Sequence, residues 1–130
     1  SEEAHAGQLY KDAVVGTPDD GTVRTRCYSG KPMRVMANPY VADWEGRPAD
    51  IKPFPVQAMI SYQNNAMGGI GGQTEGLDPD RSCFAMGQSA GGVREVLPCA
   101  EIVRRTMAEA HETIARLSRL AAAGPALAAE

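Results

Sequence analysis

Ser82-Cys83-Phe84-Ala85-Met86-Gly87-Gln88-Ser89-Ala90-Gly91-Gly92, residues 82–92, joins a short apolar run to a tight glycine loop. The run over 82–86 is the right length to cross a packed interior once, and the glycines after it permit close backbone approach. Pro98 then opens the strongest element of the chain, a helix over 98–123. Its Val103, Met107, Ala110, Ile114, Leu117 and Ala121 recur at the 3–4 spacing of one helical face. On the other side, Glu101 with Arg105 and Glu112 with Arg116 stand four apart in the favourable order. Gly124-Pro125 stops the helix, and the Ala-rich residues 124–130 read as a flexible tail.

Upstream of that stretch the chain is punctuated at short intervals. Residues 2–15 put Leu9, Tyr10, Ala13 and Val14 on one helical face, and the turn formers of 16–21 end it. Thr22-Val23-Arg24-Thr25-Arg26-Cys27-Tyr28 alternates and reads as a short strand closed by Ser29-Gly30 and Pro32. Asn38-Pro39 followed by residues 40–46 is a compact helix signature. Asn38 is the cap, Pro39 the first turn, and Gly46 the left-handed exit. A further helix is expected over 55–67, with Val56, Met59, Ile60 and Gln63 on one side, until the glycines from Gly68 stop it. Residues 68–79 read as a flexible loop, and no internal repeat is visible.

With 14 glycines, 9 prolines, 1 Trp, 2 Phe and 4 Tyr among 130 residues, the chain is loop-rich and short of large core side chains. It reads as a thin core that leans on a partner surface. The net charge of −3 is spread along the chain, with no basic stripe for nucleic acid. No run is long and apolar enough for a membrane helix, and the acidic start Ser1-Glu2-Glu3 is no signal peptide. Cys27, Cys83 and Cys99 are odd in number and widely spaced, which fits buried thiols in a reducing cytoplasm rather than a disulfide framework.

Few residues offer chemistry. Gly69-Ile70-Gly71-Gly72 follows a helix rather than a strand and reads as a loop, not a phosphate cradle. Gly87-Gln88-Ser89 is the better ligand candidate, because a carboxamide both donates and accepts beside glycine backbone. The same residues would also serve as a plain turn between packed elements. His5 and His111, the only histidines, read as surface or helix-packing residues, and no metal-ligand cluster or catalytic triad can be drawn. No catalytic group is expected within this chain.

Three segments, taken together, resemble the nitronate monooxygenase (2-nitropropane dioxygenase-like) family. Residues 25–34, Thr25-Arg26-Cys27-Tyr28-Ser29-Gly30-Lys31-Pro32-Met33-Arg34, resemble its "TRxFSGRPAR" stretch. Pro53-Phe54-Pro55-Val56-Gln57 resembles its "PFPLQ" stretch, and Met86-Gly87-Gln88-Ser89-Ala90-Gly91-Gly92-Val93 its "AGQSAGLV" loop. The opening Glu3-Ala4-His5 with Tyr10-Lys11 is similar to the segment after the last barrel strand. The glycine-rich insertion at 68–80, and Gly91-Gly92 in place of Gly-Leu, depart from the pattern. Flavin-dependent enoyl-thioester reductases share the same tail motifs.

The resemblance implies an α/β fold: the C-terminal lid or substrate domain and closing helix of an FMN-binding (β/α)8 barrel, mostly helical and loop-rich in this segment. Residues 1–97 would form the end of the barrel and the lid, and 98–123 the helix that packs back. It implies FMN as cofactor, with Gly87, Gln88 and Ser89 approaching the flavin. Tyr28, Gln57 and Met59 would line the substrate cavity, although Met59 also suits core packing. The implied activity is oxidation of nitronates or related small anions by dioxygen, with the catalytic residues in the barrel, on the same or a separate chain. An NAD(P)H-dependent flavin reductase and a non-catalytic segment that docks on a separate barrel subunit stay open beside it, as does a homo-oligomer.

Overall fold

In the computed structural model, residues 1–68 and 76–122 are described, in two compact units: His5–Val96, and Ser1–Ala4 with the chain from Leu97 onward. The glycine motif at 69–72 and the tail at 124–130 lie outside the described residues. The first unit contains helix α1 (Gln8–Gly16), strands β1 (Thr22–Thr25) and β2 (Met33–Met36), and helices α2 (Pro39–Glu45) and α3 (Val56–Gln63). Short 3-10 turns occupy Pro48–Asp50 and Gln88–Gly92. The second unit is built on helix α4 (Cys99–Ala122).

β1 and β2 form an antiparallel hairpin in the register Thr22↔Met36, Val23↔Val35, Arg24↔Arg34 and Thr25↔Met33. The strand expected over 22–28 stops at Thr25 because its own side chain turns the backbone: Cys27 N–H donates to Thr25 Oγ1 at 3.0 Å. Gly30, at φ +83°, closes the loop where a Cβ would lie 2.5 Å from the Phe54 nitrogen, so only glycine fits. The 82–86 run crosses the interior as its composition implied. It lies along β2, bridging Ala85 to Val35, with Met36 N–H donating to the Phe84 carbonyl at 2.9 Å.

That crossing separates two apolar clusters. One joins Cys27, Tyr28, Val35, Val41, Trp44 and Cys83. The other sets Phe84, Met86 and Ala90 against Leu9, Tyr10, Ala13 and Val14, the face that the 3.6-residue period had singled out on α1. α1 begins at Gln8 rather than residue 2. Ser1–Ala4 belong to the other unit, where Glu2 N–H donates to the Leu97 carbonyl and the Glu3 carboxylate accepts from Cys99 N–H at 2.9 Å, capping α4.

α2 starts as expected, with Asn38 Oδ1 accepting from Val41 N–H at 3.0 Å and Pro39 in the first turn. Its exit differs. Gly46 is right-handed (φ −69°, ψ −16°), since its N–H still bonds back to Ala42 and the chain runs on into the Pro48–Asp50 turn.

α3 spans only Val56–Gln63 and turns a different face inward from the one its hydrophobic residues mark. Gln57 and Ser61 are buried, while Val56 and Met59 are exposed. The cause is the Cys27 carbonyl, a buried acceptor left without a ladder partner when β1 ends. Gln57 Nε2 donates to it at 2.6 Å and Ser61 Oγ at 3.3 Å. In this orientation the helix satisfies a carbonyl whose orphaning would cost roughly 1–3 kcal/mol, while Val56 and Met59 stay exposed.

Candidate functional site

Gly87, Gln88 and Ser89 are exposed at the start of the 3-10 turn, immediately after buried Met86 and before buried Ala90 and Gly91. Three contacts fix this turn. Ala90 N–H donates to the Gly87 carbonyl at 3.1 Å, and Thr17 Oγ1 reaches the Met86 sulfur at 3.4 Å. Gly91 abuts the turn before β1 so closely that a Cβ would fall 2.5 Å from Asp19 Cα. At Gly87 a Cβ would meet only Ser89 Oγ, at 3.5 Å. The result is a firmly held backbone presenting a carboxamide, a hydroxyl and open glycine backbone to the outside. That donor set fits the polar edge or phosphate side of a flavin.

Tyr28, Gln57 and Met59 occupy unlike environments. Tyr28 is fully buried (0% exposed), stacked on Tyr40 with ring centroids 5.3 Å apart. Its hydroxyl lies 3.1 Å from the Arg81 carbonyl and 3.2 Å from that of Ser82, and Asn38 Nδ2 donates to it at 3.1 Å. Burial pushes this phenol well above the ordinary tyrosine range, so it stays neutral. Gln57 is likewise 0% exposed, its Oε1 accepting from Lys52 N–H at 2.9 Å while Nε2 holds the Cys27 carbonyl. Met59, about 200° further round α3 by helical geometry, is 58% exposed.

No acid–base or nucleophilic centre is assembled among the described residues. His5 and His111 are both exposed. Cys27 and Cys83 are buried, and desolvation pushes their thiols up to about 11 and about 12. Among the described residues no group of three or more His, Cys, Asp and Glu side chains is arranged to hold a metal, and no helix is long and apolar enough to cross a membrane.

One cleft escaped the sequence reading. Arg24, Thr25, Arg26, Pro32, Glu45, Pro48 and Ile51 surround a hollow of about 450 Å³ beside the hairpin. The signal was present in the alternation of 22–28, which places Arg24 and Arg26 outward and Thr25 and Cys27 inward.

No protein-family model matches the chain. It is similar to a Mycobacterium tuberculosis protein named as a monooxygenase, with 26% identity over 123 residues, which are 92% of this chain and 32% of that protein. A Staphylococcus aureus protein named as a probable nitronate monooxygenase is 30% identical over 57 residues, 44% of this chain and 16% of its own length. Among solved structures, FabK from Thermotoga maritima matches with a TM-score of 0.65 and 27% identity, covering 88% of this chain and 35% of that one. A mutant of the same FabK matches at a TM-score of 0.62 and 26% identity, over 92% of this chain and 33% of its own. The chain therefore spans about a third of the length of the relatives it matches along most of its own length.

Proposed function

From a chain that belongs to the nitronate monooxygenase (2-nitropropane dioxygenase-like) family, we infer a part of a cytoplasmic, FMN-dependent oxidoreductase acting on nitronates or related small anions with dioxygen. The observation that carries the reading is the turn at Gln88–Gly92, where Gly87, Gln88 and Ser89 of the "GQSAG" residues matching the family's loop stand exposed on a backbone held by buried Ala90 and Gly91.

A bound flavin would supply the two-electron chemistry; this chain would supply orientation and exclusion of water. Gln88 offers its carboxamide and Ser89 its hydroxyl to the polar edge of the cofactor, and Gly87 lets that edge come close. Tyr28 and Gln57 act one step back, fixing the Cys27 loop and the start of α3 as the frame of the substrate cavity. Met59 stands on the exposed side of α3, where an adaptable thioether suits a wall against a small substrate. The residues that carry out proton transfer belong to the remainder of the barrel, on the same or a separate chain.

The test is made on the intact protein that contains this chain. It purifies yellow, releases FMN on denaturation, and consumes oxygen when given an alkyl nitronate. A colourless preparation that cannot be reconstituted with FMN overturns the proposal. A second reading, an NAD(P)H-dependent flavin reductase of the enoyl-thioester kind, draws on the same tail motifs. Rapid bleaching of the flavin by NAD(P)H, with no nitronate oxidation, selects it over the first.

A further inference from the structure

Arg24 and Arg26 are the only arginines of the His5–Val96 unit that lack a defined partner among the described residues. Arg34 donates to the Thr22 carbonyl and hydroxyl at 3.2 and 3.1 Å. Arg47 pairs with Asp43, Arg81 with Asp78, and Arg94 with Asp19. Arg24 and Arg26 both line the cleft of about 450 Å³, whose volume falls within the range of small-molecule sites.

Their placement is costly without an anion. Arg24 stands directly opposite Arg34 in the hairpin register, and like charges facing across a strand pair destabilise it. Arg34 is drawn back to Thr22. The single acid of the lining, Glu45, does not relieve the pair either. Its Oε1 is taken by the Thr25 hydroxyl at 2.5 Å, and it forms no ion pair with Arg24 or Arg26. Pro32, Pro48 and Ile51 complete the cleft with apolar surface. A protein of net charge −3 has no general affinity for anions, so any such affinity here is local.

We propose that the Arg24–Arg26 cleft binds a small phosphate monoester, with the phosphate held by the two guanidinium forks and the organic part resting on Pro48 and Ile51. Guanidinium forks match phosphate oxygens bidentately, and a dianion answers two cations better than a carboxylate does. The site is independent of the flavin reading: a protein free of FMN would bind the same ligand.

The experiment is calorimetric titration of the intact protein with phenyl phosphate at low salt, with benzoate as the carboxylate control. Saturable phenyl phosphate binding is expected, weaker by about tenfold for each of Arg24→Gln and Arg26→Gln. Glu45→Gln is expected to bind more tightly, because it removes the one negative charge from the lining. Arg24→Gln relieves the repulsion with Arg34, so its unfolding midpoint should not fall, which separates lost binding from lost folding. Absence of saturable binding in the millimolar range, affinity unchanged in both arginine variants, or benzoate binding as tightly as phenyl phosphate each overturns the proposal.

Discussion

Replacing Gln57 by Leu tests whether α3 is oriented by its polar residues. The substitution keeps a similar volume and removes two interactions: the donation to the Cys27 carbonyl at 2.6 Å and the acceptance from Lys52 N–H at 2.9 Å. The carbonyl keeps Ser61 Oγ at 3.3 Å, so its loss falls at the lower end of the roughly 1–3 kcal/mol for an orphaned buried group. Lys52 N–H is only part-buried and adds about 1 kcal/mol at most. Together they give about 2 kcal/mol. Ser61→Ala alone leaves the shorter bond from Gln57 and should cost about 0.5–1 kcal/mol. The double variant strips the carbonyl of every donor, so it should cost about 1 kcal/mol more than the sum of the singles. Urea unfolding followed by fluorescence of Trp44, the single tryptophan and a core residue, reads this directly. Additivity to within ~0.5 kcal/mol, or a Gln57→Leu midpoint equal to wild type, would refute the shared-acceptor argument.

Adjacent glycines give a matched pair. Gly91→Ala forces a Cβ to 2.5 Å from Asp19 Cα and should destabilise by roughly 1–3 kcal/mol, whereas Gly92→Ala meets nothing within 4 Å and should leave the urea midpoint within ~0.5 kcal/mol of wild type. Brief maleimide treatment at mildly alkaline pH should modify exposed Cys99 while sparing Cys27 and Cys83, whose buried thiols sit near 11 and 12; peptide mass mapping checks the order. Glu101 is held down to about 2, first by its hydrogen bond from Arg104 and then by that from Arg105. Its folded value lies below the unfolded one, so its contribution to stability is fully present above about 4.5 and fades as pH falls toward about 2; an NMR titration of its carboxyl carbon should show that midpoint rising with added salt.

What the sequence disclosed was local chemistry. The Asn38–Pro39 start of α2, the inward face of α1 and the 24-residue α4 all rest on signals carried within one or two turns. β2 was not foreseen: four residues, Met33–Met36, with a charge in the middle give no strand signature without their partner strand. The inward face of α3 was also hidden. The hydrophobic pattern nominates Val56 and Met59, while the deciding partner, the Cys27 carbonyl, lies 30 residues away. The Arg24–Arg26 cleft required both the hairpin and the end of α2, which supplies Glu45, to become visible.

The candidate residues fall into two groups according to whether their polar atoms are already engaged. Tyr28 and Gln57 are fully buried, and each polar atom has a partner within the fold. A ligand that recruited either would first have to break those bonds, at roughly 1–3 kcal/mol for each group left unpaired. Gln88 and Ser89 are exposed at a turn whose backbone is pinned by Gly91 and Met86, so a ligand meets them with little further loss of freedom. The family motifs thus hold residues of two kinds. Those at 28 and 57 build the frame, and exchanging them should reduce stability before it alters any ligand affinity. Those at 87–89 face outward, and Gln88→Ala should leave the unfolding midpoint within ~0.5 kcal/mol of wild type while weakening flavin retention. A Gln88→Ala protein that keeps its flavin as well as wild type does would move the cofactor contact away from this turn.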